Sequence, residues 1–450
     1  EEGRRAAEEG GTGGVGSGDG KAPPRRRVVV LADAVLHHSS SLPFRELLPQ
    51  FPLASPAALG GFRGSAWRQA SPLGGSGEAP ATSVEVELST LPIDETTGLL
   101  DEAELHARLS ALRAWRDLGG GELVVICVLA AASNVTGLCA DVPRVTARAR
   151  GAWPSAVVCW DFAAALGHRP CDLNPPGDAL AAVDAAFFSP HKLWGGPGSV
   201  GVLAVKKRLL CNAVPAVPGG GVVFYVSEGG HSYIQNSEER EEAGTPNIVG
   251  CIRAGLVFHL LGQIPAGAIP DREERMLQRA LDAWGAHPKI DVLGPGALAA
   301  GGAGPARTGV VSFMVRYGND SPGLYLHYNY VAALLNDLFG VQARGGCACA
   351  GPYAQWLLGI EGLSEEFERC LKRTAQEVLR PGFVRVGVHW AMSDEDVDAL
   401  IAAVQWVADH GWRLLAAYTF DRETGEWLHR LDAPGAAPRG VSDLLAAADA

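Results

Sequence analysis

The chain has 450 residues, 47% of them hydrophobic and 20% charged, a balance that suits a buried globular core and excludes a disordered chain. Its 38 basic residues against 50 acidic ones give a formal charge of −12, which argues against a nucleic-acid partner, and no apolar run reaches the ~18 residues of a membrane span. The length exceeds one hydrophobic core and predicts two lobes, while nine cysteines without disulfide-like spacing fit a reducing intracellular compartment, the cytoplasm or an organelle.

Residues 1–27 form a Gly/Glu/Ala-rich tract with almost no large apolar side chain, so disorder is expected there, and its glutamates argue against an intact transit peptide. A large domain is expected over 28–262, interrupted by a low-complexity insertion at 52–82. Within it the pattern predicts strands at 83–88, 123–129, 157–160 and 200–205, an apolar run at 183–188 and helices at 141–151 and 246–261. The last helix leads into a small α+β domain over 263–430. There the pattern predicts strands at 309–315, 341–344 and 383–388 and helices at 326–339 and 393–410, with a tail at 431–450. Strands alternating with helices predict an α/β fold whose large domain has a mainly parallel sheet.

Lys192 is the residue that points to chemistry. Only six lysines occur in the chain, and this one sits in Ser189-Pro190-His191-Lys192-Leu193-Trp194-Gly195-Gly196, after the apolar run. A buried lysine, unlike arginine, can lose its proton and act as a nucleophile or Schiff-base partner. Asp161 closes the strand at 157–160, and ligands of parallel α/β sheets gather at the carboxyl ends of strands. A lysine for a Schiff base and an acid to hold a pyridinium proton are what pyridoxal phosphate (PLP) requires. Each residue alone also fits a loop or a helix cap.

The ordered motifs resemble one family. They are His37-His38-Ser39-Ser40-Ser41, Ala132-Ser133-Asn134-Val135-Thr136-Gly137, Asp161-Phe162-Ala163-Ala164, Gly167-His168-Arg169-Pro170-Cys171-Asp172 and the Lys192 stretch. They continue with Gly244-Thr245-Pro246-Asn247, Arg344-Gly345-Gly346-Cys347-Ala348-Cys349-Ala350-Gly351-Pro352 and Val384-Arg385-Val386. This series resembles the class V aminotransferases of PLP fold type I, the group that holds cysteine desulfurases and selenocysteine lyases. The resemblance implies a homodimer acting on a small amino acid, with cysteine desulfuration as the leading activity and a sulfur-acceptor protein as a partner. It implies PLP on Lys192, Asp161 at the ring nitrogen, His37 stacked on the ring and Asn134 near the ring hydroxyl. Ser189 and His191 would donate to the phosphate, and Thr245 would reach the phosphate of the neighbouring subunit. Arg385 would clamp the substrate carboxylate with Asn134 beside it, and Cys349, on a loop expected to be mobile, would carry the persulfide. Cys347 is out of register for that role, and a lone Cys-x-Cys is weak for zinc, so no metal is expected.

Two departures accompany the resemblance. Ala164 stands where the family has a glutamine against the ring oxygen, and nothing in residues 1–30 resembles the family's phosphate-binding turn upstream of the His-His pair. The expectation is a truncated chain. The alternatives are another class V reaction (transamination, epimerisation or selenocysteine cleavage) or a non-catalytic remnant.

Overall fold

The computed structural model describes residues 26–47, 84–295, 305–318 and 323–432. The N-terminal tract up to residue 25, the insertion at 52–82 and all of the tail beyond residue 432 lie outside the described residues.

In chain order the large lobe runs β1 (Arg26–Asp33), α1 (His38–Leu47), β2 (Val84–Leu91), α2 (Glu102–Trp115), β3 (Glu122–Ala130), α3 (Val142–Ala152), β4 (Val157–Asp161), β5 (Ala185–Phe188) and β6 (Val202–Val205). The six strands make one sheet in the order β2-β1-β3-β4-β5-β6, parallel throughout except for the antiparallel β5–β6 pair. β3 reads Glu-Leu-Val-Val-Ile-Cys-Val-Leu-Ala, a near-continuous apolar run of the kind that central parallel strands covered on both faces require. Helix α2 lays Leu105, Leu109 and Leu112 onto Val125, Cys127 and Leu129. Leu109 is fully buried, which contributes about 2 kcal/mol. The helix starts where it does because Asp101 accepts from the amides of Ala103 and Glu104, and Asp141 caps α3 through Arg144 N.

A hairpin of β7 (Val223–Ser227) and β8 (Gly230–Tyr233), the short α4 (Ser237–Arg240) and helix α5 (Ile248–Leu261) lead out of this lobe. The small lobe then holds α6 (Ala268–Gly285), β9 (Ile290–Val292), β10 (Val310–Val315), α7 (Tyr328–Phe339), β11 (Arg344–Gly346), α8 (Gly351–Leu358), α9 (Ser364–Thr374), β12 (Phe383–Gly387), α10 (Asp394–His410) and the hairpin β13 (Tyr418–Phe420)–β14 (Trp427–His429). Its antiparallel sheet has the order β11-β12-β10-β9 and packs Phe313 and Val386 against Trp284, Tyr330 and Val404 in a core separate from the first. Among the described residues no helix is long and apolar enough to cross a membrane.

The predicted elements are present with shifted ends. Asn247 caps α5 through Gly250 N, so the helix begins two residues after Pro246. The strand expected at 341–344 instead covers Arg344–Gly346, where a backbone at Gly346 approaches Gly382 so closely that a Cβ on Gly382 would fall 2.7 Å from Gly346 Cα. Strands β1 and β9, helices α1, α2, α4, α6, α8 and α9 and both hairpins are not among the predicted elements.

Candidate active site

Four loops leave the carboxyl ends of adjacent parallel strands and converge on one rim. Asp33 ends β1 and His37 follows it, Ala130 ends β3 and Asn134 follows, Asp161 ends β4, and the Lys192 turn follows Phe188 at the end of β5. Register fixes this alignment, since Ala130 pairs with Asp161 and Asp161 with Phe187. Asp161 and Lys192 therefore share one side of the sheet, where open α/β folds bind ligands.

Asp161 is buried, with Oδ2 accepting from Ser40 Oγ at 2.6 Å and Oδ1 from Ala163 N at 2.8 Å. Lone pairs remain for one further donor. Lys192 lies on the tight turn Pro190–Lys192, closed by Lys192 N to Ser189 O and Leu193 N to Pro190 O, each at 3.0 Å. The side chain opens onto the cleft, yet its pKa is lowered. Loss of surrounding water is the main cause and the Arg385 and Arg344 charges add to it, while Asp161 opposes them. His37 is held neutral in the same way, by burial first and then by Lys192, with Asp161 opposing. Its Nδ1 accepts from Ser39 N at 3.1 Å, which leaves the proton on Nε2. Lysine, carboxylate and imidazole thus sit within electrostatic reach of one another.

The cysteine loop is braced rather than free. His38 N donates to Cys349 O at 2.8 Å, Gly351 N donates to His38 Nε2 at 2.8 Å, and Asn134 Nδ2 donates to Ala348 O at 2.6 Å. These bonds hold Ala348 and Cys349 at φ 54° and 56°, a left-handed conformation that costs a non-glycine residue about 1 kcal/mol. Arg344 directs Nη2 at Cys349 Sγ at 3.4 Å, and it stands opposite Arg385 across the β11–β12 ladder. Arg385 in turn donates Nη1 to Asn134 O at 2.7 Å, tying the small-lobe sheet to the rim of the large one.

A class-V aminotransferase family model matches residues 116–400. The chain belongs to the aminotransferase class-V family. A cysteine desulfurase from Serratia proteamaculans is 29% identical over 229 residues, 50% of this chain and 50% of that protein, so the chain spans about half the length of the curated relatives it matches. The apo cysteine desulfurase of Thermococcus onnurineus NA1 superposes with a TM-score of 0.60 at 23% identity, over 86% of this chain and 74% of the other. A C-DES variant solved with glycine covalently linked to its PLP cofactor superposes at 0.52 with 16% identity, over 85% and 75% of the two chains. These likenesses give the aminotransferase-type chain the fold of type I PLP enzymes.

Not every residue named from the motifs joins the cluster by a bond. Ser189 makes no cap bond with its hydroxyl, His191 is exposed on the Lys192 turn, and Thr245 is exposed on the loop before α5. A cavity of about 190 Å³ among the described residues, between β10, β12 and the start of α7, is lined by Met314, Tyr325, Tyr328 and Arg380, and neither Lys192 nor Asp161 lines it. Reading the motifs gave no role to Ser40 or to His38, although both stand inside the quoted His37 stretch. A hydroxyl three residues after a histidine at a strand end is the only signal that could have found Ser40.

Proposed function

We propose that this chain is a PLP-dependent enzyme of the cysteine desulfurase type, converting cysteine to alanine and leaving the sulfur as a persulfide on Cys349. The observation that carries the reading is the convergence of Lys192, Asp161, His37, Arg385 and an Arg344-paired Cys349 on one cleft. The donor set fits the cofactor: a buried carboxylate with a free lone pair for a ring nitrogen, an amine whose pKa is lowered by loss of surrounding water, and an imidazole whose pKa is lowered by burial and by Lys192. Asp161, His37, Lys192 and Asn134 would hold the ring. Ser189 and His191, with Thr245 from a second copy of the chain, would hold the phosphate. When bound, PLP supplies an electron sink for charge on the substrate's α-carbon.

The chain's own residues do the rest. Burial favours the neutral Lys192 amine, which takes and returns the α-proton. Arg385 presents a planar fork to the substrate carboxylate, its orientation fixed by Asn134 O. Cys349 Sγ attacks the substrate sulfur, so that an S–S bond forms as the substrate's C–S bond breaks, with Arg344 Nη2 3.4 Å from the attacking sulfur. The same reading takes 28–262 as the cofactor-binding domain and 263–430 as the small domain, and places a homodimer in a reducing compartment with a protein acceptor for the sulfur.

The test is alanine release from cysteine by the PLP-loaded chain, together with sulfide release when an added thiol reduces the persulfide. Cys349→Ala abolishes release while the cofactor's absorbance stays, and Cys347→Ala lowers it only modestly. Release that survives Cys349→Ala would assign the chain to another class V reaction, and a chain that shows no PLP absorbance at all would be a remnant.

A further inference from the structure

The Lys192 turn is held at three points. Leu193 is buried against Gly167, whose φ of +82° and lack of a side chain make the room, since a Cβ there would fall 2.5 Å from Leu193 Cδ2. Arg253 on α5 donates Nη1 to Pro197 O at 2.6 Å on the far side of the turn. The third contact comes from the other lobe: the Trp194 ring meets Trp390 edge-to-face, with centroids 5.9 Å apart and an interplanar angle of 68°.

Trp390 is itself firmly presented. Its amide donates to Glu273 Oε1 at 3.4 Å and its carbonyl accepts from Arg272 Nε at 2.7 Å, so two successive residues of α6 grip the backbone on both sides of its Cα. Glu273 Oε1 also meets His168 Nδ1 at 2.8 Å, and His168 directly follows the Gly167 that seats Leu193. Glu273 is fully buried and its other oxygen has no donor, a cost that the bonds through Oε1 offset only in part. Trp390 lies a few residues beyond β12, the strand that carries Arg385. Trp194 meanwhile remains 57% exposed, so it gains little from burial, and Gly195 and Gly196 follow it with no side chain to stiffen the turn.

We propose that Trp194 is a positioning residue: its contact with Trp390 fixes the Lys192 turn against the part of the small lobe that carries Arg385. The proposal rests on the reading of Lys192 given above. It treats the pair as a spacer between the amine and the guanidinium, the two groups that must straddle one small amino acid.

The test uses the full chain, with and without PLP, and variants W194A, W194F and W390A. The first readout needs no cofactor: hydrogen exchange at the amides of Leu193 and Gly196, which donate to Pro190 O and Leu193 O inside the turn. W194A speeds exchange at these amides about fivefold, the size expected for an aromatic pair, with exchange elsewhere and the thermal midpoint unchanged. W194F restores the wild-type rate, and W390A added to W194A gives no further increase because both remove the same contact. The second readout is the yield of borohydride-trapped PLP on Lys192 at subsaturating cofactor, which falls and recovers in the same series. Additive effects of the two variants, or acceleration spread over the whole lobe, would overturn the proposal. A wild-type chain that traps no PLP defeats the functional reading, and the exchange data then decide the positioning role alone.

Discussion

Replacing Asp33 by asparagine tests how the rim is built. Asp33 is buried at the end of β1, where Oδ1 accepts from Val35 N at 2.9 Å and Oδ2 from Ala130 N at 3.3 Å. The first of these bonds shapes the turn that delivers His37. Burial outweighs both bonds and raises the carboxyl from 3.8 to about 6. The folded state therefore binds the proton more tightly than the unfolded one. The resulting stability is full below pH 3.8 and is lost as pH rises through about 6. Above that range the buried charge costs about 3 kcal/mol, from the difference between the two values at 1.36 kcal/mol per pH unit. Asparagine keeps an oxygen for Val35 N but turns an amide toward Ala130 N, a mismatch of about 1 kcal/mol. Asp33→Asn should thus stabilise the chain by about 2 kcal/mol at pH 8 and leave it level with or slightly below wild type at pH 4. Urea unfolding of both proteins at the two pH values reads the difference, in which other titrating groups cancel. An offset that is the same at both pH values would show that Asp33 does not titrate as its burial demands.

Three further outcomes follow from the site. Ser40→Ala removes the 2.6 Å bond to Asp161 and should weaken PLP retention by about tenfold in an absorbance titration; unchanged retention would mean that Ser40 does not hold the carboxylate. Arg385→Lys keeps the charge but loses the fork and its bond to Asn134 O, so KM for cysteine should rise about tenfold or more with a smaller change in kcat, and a fall in kcat alone would refute the carboxylate clamp. Trapping of PLP on Lys192 should increase with pH to a midpoint below the 10.5 of a free lysine, and Asp161→Asn should move that midpoint lower because Asp161 is the group that raises it; a midpoint at 10.5 in both proteins would contradict the depressed amine.

Residue type and strand position made Asp161 and Lys192 legible, because a parallel sheet gathers whatever follows its strands onto one rim. The Arg344–Cys349 contact was half visible, being local to one loop. What could not be read were contacts set by long-range register: Ser40 with Asp161, His38 with Gly351, and Arg344 opposite Arg385. Each joins segments whose separation in sequence carries no periodic signal. Helix α6 is different, since Met276, Leu277, Ala280, Leu281 and Trp284 recur at helical spacing and bury one face, so the signal was present among its many charges. The extra turns α8 and α9 follow a Gly-Pro start and a serine-glutamate pair that in isolation resemble loop punctuation.

The adjacent histidines divide their labour between two pieces of the molecule. One ring feels the charge of the lysine while its neighbour's backbone and imidazole grip the segment bearing Cys349. Grafting residues 344–352 alone into another scaffold would therefore deliver a thiol without its brace, and a transplant that keeps Cys349 in place has to carry the dipeptide His37-His38 as well, although His38 lies 313 residues before Gly351.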